Sequence, residues 1–189
     1  MDYRIEKYRK KIIEHYINNW GTNFEEKRWD KGKILQVVPH FSILEFKPNE
    51  SREMWTYATC GMSTASHLSP IEIHIFSSIQ DDSILELLSA ICDYHNTDNN
   101  LDLDHTLNFG RSWQAKSECT FGLISLPYLD GPGLEIMNLG VGKDVHFYWL
   151  IPVTKNEVEY KKKYGLEALE AKFEEHRFNY LNSSRESVV

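Results

Sequence analysis

The sequence predicts a single α+β domain, a mixed sheet of about five to seven strands packed by helices. Three observations carry that expectation. The chain has 189 residues, enough for one well-buried domain and few for two, and it shows no repeat, low-complexity stretch or linker. Amphipathic helical patterns stand at its start, middle and end, with strand patterns between them. Finally, the strand patterns are of two kinds. Residues 70–76 (PIEIHIF) alternate apolar and polar, whereas residues 119–126 (CTFGLISL) and 146–153 (HFYWLIPV) are almost continuously apolar, as central strands covered on both faces are.

Residues 3–20 place Ile5, Tyr8, Ile12 and Tyr16, with Ile13, Ile17 and Trp20, at three- and four-residue spacing, which predicts an amphipathic helix. Its other face carries Arg4, Lys7, Arg9, Lys10 and Lys11. Basic helices of this kind can lie on membranes or nucleic acid. No aromatic residue interleaves these charges, so the face reads as solvated. Residues 34–38 (ILQVV) and 41–47 (FSILEFK) read as two strands around Pro39 and His40, and residues 54–60 as a third ended by Gly61. In the 70–76 strand Ile71, Ile73 and Ile75 face a core, leaving Glu72 and His74 on a wet side. A helix is expected over 84–95, with Ser83 and Glu86 at capping-box spacing and Asp81 and Asp82 at the positive end of its dipole. Residues 95–105 (HNTDNNLDLDH) form a polar surface loop. Gly131, Pro132 and Gly133 mark a turn between the two apolar strands. Thr154 and Glu157 open a helix that Gly165 stops, and a last helix runs over 166–176 with Leu166, Leu169 and Phe173 inward.

Charge is unevenly distributed. Between Glu53 and Gly110 the 58 residues contain nine carboxylates and no lysine or arginine. With 28 acidic and 21 basic residues in all, this leaves −9 inside the window and +2 outside it, summing to the net −7. Such a field attracts a basic partner and repels phosphate backbones, which argues against nucleic acid; taken alone, the window also reads as a solvated acidic flank that keeps the protein in solution. No apolar run is long enough to span a membrane, and Met1 to Lys11 lacks a secretory signal. Cys60, Cys92 and Cys119 are an odd, widely spaced set, so reduced thiols and a cytoplasmic location are expected.

Motifs for catalysis are missing. There is no phosphate-binding glycine loop, no G-x-S-x-G elbow and no H-E-x-x-H. Asp102, Asp104 and His105 have donors suited to a divalent ion, but read as an ordinary polar loop; no metal or other cofactor is expected. Cys60, with His67 or His105 as base, is the one nucleophile arrangement to weigh against a plain buried cysteine. Trp113 and the Pro127–Tyr128 pair are aromatic groups near loops and are candidates either to anchor a partner or to pack in the core or a loop.

Four segments, in order, resemble the Suppressor of fused family. Residues 55–63 (WTYATCGMS) are similar to its aromatic strand and Thr-x-Gly-Met-Ser turn. His105, Thr106 and Leu107, followed by Gly110, resemble its central His-Thr segment. Residues 121–128 (FGLISLPY) resemble the following strand and proline. Residues 147–165 resemble its core strand, its Pro152-Val153-Thr154 turn, and a helix bearing Glu157 and Tyr160. The resemblance spans roughly residues 30 to 189, and the tail from Asn182 to Val189 is similar to tails of stand-alone bacterial members. Animal members add a C-terminal domain and restrain a transcription factor; this chain has no room for that domain, so that role is not expected.

The bacterial resemblance implies an immunity protein, or antitoxin, that binds a cognate protein toxin and blocks it without chemistry. Nuclease toxins present basic clefts, which an acidic inhibitor engages by steered association. The expected contacts are Asp98, Asp102 and Asp104 in the polar loop, with Trp113 as anchor. The rival expectations are a regulatory scaffold binding an intracellular protein and, behind it, an enzyme using Cys60 or a loop metal.

Overall fold

The structure, a computed structural model, describes residues 3–64, 69–97, 99–139 and 144–189. The opening helix α1 (Tyr3–Trp20) has the predicted bounds. Gly21, at φ 84°, ends it where the chain must turn into β1 (Phe24–Lys27). A single helical turn, α2 (Ile34–Val37), precedes β2 (Ser42–Phe46) and β3 (Trp55–Cys60). A 3-10 turn (Met62–Thr64) leads toward β4 (Ile71–Ser77), then α3 (Ser83–Asn96) and β5 (Thr106–Asn108). The second half comprises β6 (Cys119–Ser125), α4 (Pro132–Glu135), β7 (Ile136–Asn138), β8 (Asp144–Thr154), α5 (Lys155–Tyr164) and α6 (Leu166–Glu175).

Among the described residues eight strands form one sheet, ordered β1-β2-β3-β4-β8-β6-β5, with β7 also paired to β8. The pairing of β4 with β8 is parallel and the other pairings are antiparallel, so the sheet is mixed. The long strand β8 is its axis. β4 runs along one side; β7 and then β6 share the other, β7 beside Asp144–His146 and β6 beside Trp149–Thr154. The apolar runs of β6 and β8 are central, as their composition required.

Helices cover both faces. Ile71, Ile73 and Ile75 of β4, with Ile43, Tyr57 and Leu150, pack under α2 and α3, whose Ile34, Ile84, Leu88 and Ile91 close that core. The opposite face is divided. Ile12, Tyr16 and Trp20 of α1 cover Leu44, Phe46, Ala58 and Phe147. Val158, Leu169 and Phe173 of α5 and α6 cover Phe76, Trp149, Ile151 and Val153, and Phe178, Tyr180 and Val188 of the tail extend that cover.

This second layer overturns one expectation. All of β4 is buried, so Glu72 and His74 face α1 and the Asp130 segment rather than water. A second correction concerns residues 34–38, which are a helical turn and not a strand. Ile34 and Val38 sit four residues apart on one side of that turn and enter the core together. The predicted Ser83–Glu86 box is not formed: Asp81 Oδ1 accepts the Ser83 amide at 2.9 Å, and Glu86 faces Arg111 at 3.9 Å. The Thr154–Glu157 box is formed, with Thr154 Oγ1 accepting the Glu157 amide at 3.3 Å and Glu157 Oε2 accepting the Thr154 amide at 2.8 Å.

Candidate functional site

Glu72, Glu157 and Asp130 carry enclosed carboxyl groups that tie separate elements of the scaffold together. The first is Glu72, which has no solvent exposure. Its Oε2 accepts from Thr59 Oγ1 at 2.6 Å, and its Oε1 accepts from the Gly61 amide (3.0 Å), the Ser63 amide (3.1 Å) and Ser63 Oγ (2.6 Å). Tyr8 on α1 donates to Ser63 Oγ at 2.9 Å, and burial pushes the Tyr8 hydroxyl up to about 12. Burial also pushes the Glu72 carboxyl above the usual range, against the pull of its donors. Gly61 sits at φ 103°, and a Cβ there would meet the His40 carbonyl at 3.1 Å. Arg9 packs over this turn, donating to the carbonyls of His40 and Cys60 and to Ser42 and Glu26. It is therefore a half-buried tie between α1 and the sheet, not part of a solvated face.

The second group is Glu157, whose carboxylate takes both arms of Arg185 at 2.6 and 2.8 Å and also the Val188 amide at 3.1 Å. Arg185 Nη2 adds a bond to the Pro152 carbonyl at 2.9 Å. The tail is thus clamped to the start of α5. The third is Asp130, in the loop between β6 and α4. Its Oδ1 accepts from Trp20 Nε1 and Arg52 Nη1, both at 2.7 Å, and the Arg52 guanidinium lies over the rings of Trp20 and Phe76. His74 Nε2 stands 3.6 Å from Asp130 Oδ2, and burial lowers the imidazole to about 3, so it is neutral.

The expected contact residues are not equivalent. Asp98 lies outside the described residues. Asp102 is half-buried and serves the fold: its Oδ1 accepts from Tyr148 Oη at 3.1 Å and from the Leu103 amide at 2.8 Å. Asp104 is exposed, at φ 66°, with its carbonyl accepting Lys161 Nζ at 2.5 Å. Trp113 is 1 % exposed and belongs to the core under α3, so it cannot anchor a partner on the surface. Tyr128 is the opposite case, 61 % exposed at the tip of the turn before Asp130.

The acidic window is also less concentrated than its sequence. Glu72 is enclosed, Asp81 binds the start of α3 and Gln114, and Asp102 binds Tyr148. Carboxylates from outside the window take their place on the surface. Glu170 of α6 lies beside Asp104 and the Tyr128 hydroxyl; burial, then the Asp104 charge, push its carboxyl up. The Cys60 thiol is enclosed under α1, and burial, then Glu72, hold it well above the usual thiol range, so it stays protonated. Its suggested base His67 lies outside the described residues, and His105 Nδ1 accepts the Asp102 amide at 3.2 Å. Among the described residues no three of His, Cys, Asp or Glu are grouped to hold a metal, and no helix is long and apolar enough to cross a membrane.

The profile of the Suppressor of fused protein (SUFU) family matches residues 38–186. The chain belongs to the Suppressor of fused family. Its fold is similar to the crystal structure of a protein described as a Suppressor of fused homologue from Neisseria gonorrhoeae FA 1090. The TM-score is 0.85 at 29 % identity, over 97 % of this chain and 98 % of that one. A chain from the Sufu–Fu complex shares the fold at TM-score 0.71 and 15 % identity, covering 96 % and 92 % of the two chains. Drosophila Suppressor of Fused matches at TM-score 0.66 and 16 % identity, over 94 % of this chain and 50 % of its own length. No curated protein sequence matches. The Suppressor of fused signature now has a physical meaning in this chain: Thr59, Gly61 and Ser63 are the donors that enclose Glu72. Arg9, Asp130 and Arg185 escaped sequence reading because their partners lie far away in the chain. The Thr59–Ser63 turn was visible, but nothing in it named Glu72 as its acceptor.

Proposed function

We propose that this protein is an immunity protein that binds a basic protein toxin, such as a nuclease, and blocks it by occlusion without catalysis. The observation that supports this is how the residues divide. The Thr59–Ser63 and Thr154–Glu157 motif residues are consumed by the scaffold around Glu72 and Glu157, while the Asp104 carboxylate stays exposed. An inhibitor with an acidic face is steered toward a basic cleft from a distance. Action in the cytoplasm, and of the surface loop with Asp98 and Asp104 as contacts, belongs to the same reading. The test is co-expression with a toxin encoded beside its gene: protected growth supports the proposal, and equal killing with and without the protein ends it. A stable complex with an endogenous regulator in cells lacking any toxin would instead favour the scaffold reading, which shares with it a protein partner.

A further inference from the structure

The turn over residues 127–131 is exposed at its tip and immobilised at its base. Tyr128 is 61 % and Leu129 47 % exposed, two large side chains side by side in water. Beneath them the amides of Asp130 and Gly131 both donate to the Pro127 carbonyl, at 2.9 and 3.0 Å. Gly131 takes φ 75°, which reverses the chain into α4. The Asp130 carboxylate is then held by Trp20 from α1 and by Arg52 from the segment between β2 and β3. Two separated parts of the chain thus fix a turn whose outward residues contribute little to the core. Rigid, exposed aromatic tips of this kind are efficient anchors, because little side-chain entropy is lost when they are covered.

The surroundings select the partner. Asp104, Glu135 and Glu170 carry the charges felt at the Tyr128 hydroxyl, and Glu167 and Glu174 stand near Glu170. Lys161 reaches the same region, but its ammonium is engaged by the Asp104 carbonyl. From this arrangement we infer that Tyr128 and Leu129, with the charges of Asp104, Glu135 and Glu170 close enough to act on the Tyr128 hydroxyl, form a docking surface for an arginine-bearing segment of a protein partner. A guanidinium lying on the Tyr128 ring places its N–H groups toward these carboxylates, and its planar face suits the ring better than an ammonium does. This inference builds on the reading of the protein as a binder of a basic toxin, and gives that binder a defined contact surface.

The test uses the full chain, isotopically labelled, titrated with octa-arginine, octa-lysine and octa-glutamate peptides and followed by amide chemical shifts. Octa-arginine is expected to shift Tyr128, Leu129, Asp104, Glu135 and Glu170 most and to bind more tightly than octa-lysine; octa-glutamate is expected to leave them unmoved. Tyr128→Ser, at an exposed site, should weaken octa-arginine at least about tenfold with the fold unchanged. Glu135→Gln with Glu170→Gln should do the same. Shifts centred on Asp82 and Glu86, or a Tyr128→Ser variant that binds like wild type, would overturn the inference. Failure of the two readings is separable. A Tyr128→Ser protein that protects cells as well as wild type removes this surface and leaves immunity standing. A wild-type protein that gives no protection removes immunity, and the peptide titration still decides the surface.

Discussion

Glu72 illustrates how a buried carboxylate can be a scaffold element. Its Oε1 gathers three donors and its Oε2 one, and Thr59 Oγ1 in turn accepts the Ile73 amide at 2.8 Å. Glu72→Gln can keep the amide oxygen at the crowded position and direct its NH2 toward Thr59, so it should cost about 1 kcal/mol. Glu72→Ala strands the Gly61 and Ser63 amides without a partner and should cost about 3 kcal/mol or more; urea denaturation at fixed pH measures both. The pH dependence has a definite sign. The folded carboxyl is raised above its ordinary 4.5, so the fold binds the protonated form more tightly than the unfolded chain does. Its stabilising contribution is full below pH 4.5 and is lost as the pH rises through the elevated folded value. The advantage of wild type over Glu72→Gln should therefore shrink as denaturation is repeated from acid toward neutral pH. An advantage that grows over that range would show that the donors, not burial, govern this carboxyl.

Helices and strands divide sharply in how plainly their sequences announce them. The Thr154–Glu157 box, α1 and the alternation in β4 are local patterns that the fold keeps, whereas the equally local Ser83–Glu86 box gives way to Asp81 on the Ser83 amide. The Arg185–Glu157 clamp adds a long-range constraint that no local pattern carries. Arg185→Ala leaves the Glu157 charge enclosed with its cation removed, and is expected to cost about 3 kcal/mol by urea denaturation. Thr154→Ala removes the cap on the Glu157 amide and the 3.1 Å bond from its hydroxyl to Ser187 Oγ, and should cost about 1 kcal/mol. The errors have the same physical origin. Glu72 and His74 read as wet because alternation reports two faces but not what covers each, and the covering helix, α1, lies some fifty residues earlier in the chain. The run at 34–38 is too short for its period to separate strand from helix. Strands β1, β5 and β7 are only four, three and three residues long and take their definition from partners. Of the contact residues, Asp104 was legible as an exposed loop charge. Trp113 was not legible as core, since a tryptophan after a Gly-Arg-Ser segment looks the same whether its indole turns outward or inward.

At the scale of the molecule, net charge of −7 and its surface placement set how the protein meets a partner. Association with a basic toxin should be fast at low salt and slow markedly as ionic strength approaches 1 M, where the screening length is about 3 Å. Asp104→Lys should lower the low-salt association rate and flatten that dependence, read by stopped-flow fluorescence; an unchanged slope would locate the steering charges elsewhere. Sheet order has a consequence of another kind, for how the chain acquires its shape. The first four strands can pair in succession, but the axis of the sheet, β8, arrives about seventy residues after β4, and until it inserts β4 presents an open edge. Folding is therefore expected to wait on one late, distant event, with a slow refolding limb characteristic of non-local strand pairing. Leu150→Ala, in the middle of that strand, is expected to retard refolding in a stopped-flow chevron, and the half-formed sheet that accumulates meanwhile is the species most exposed to self-association.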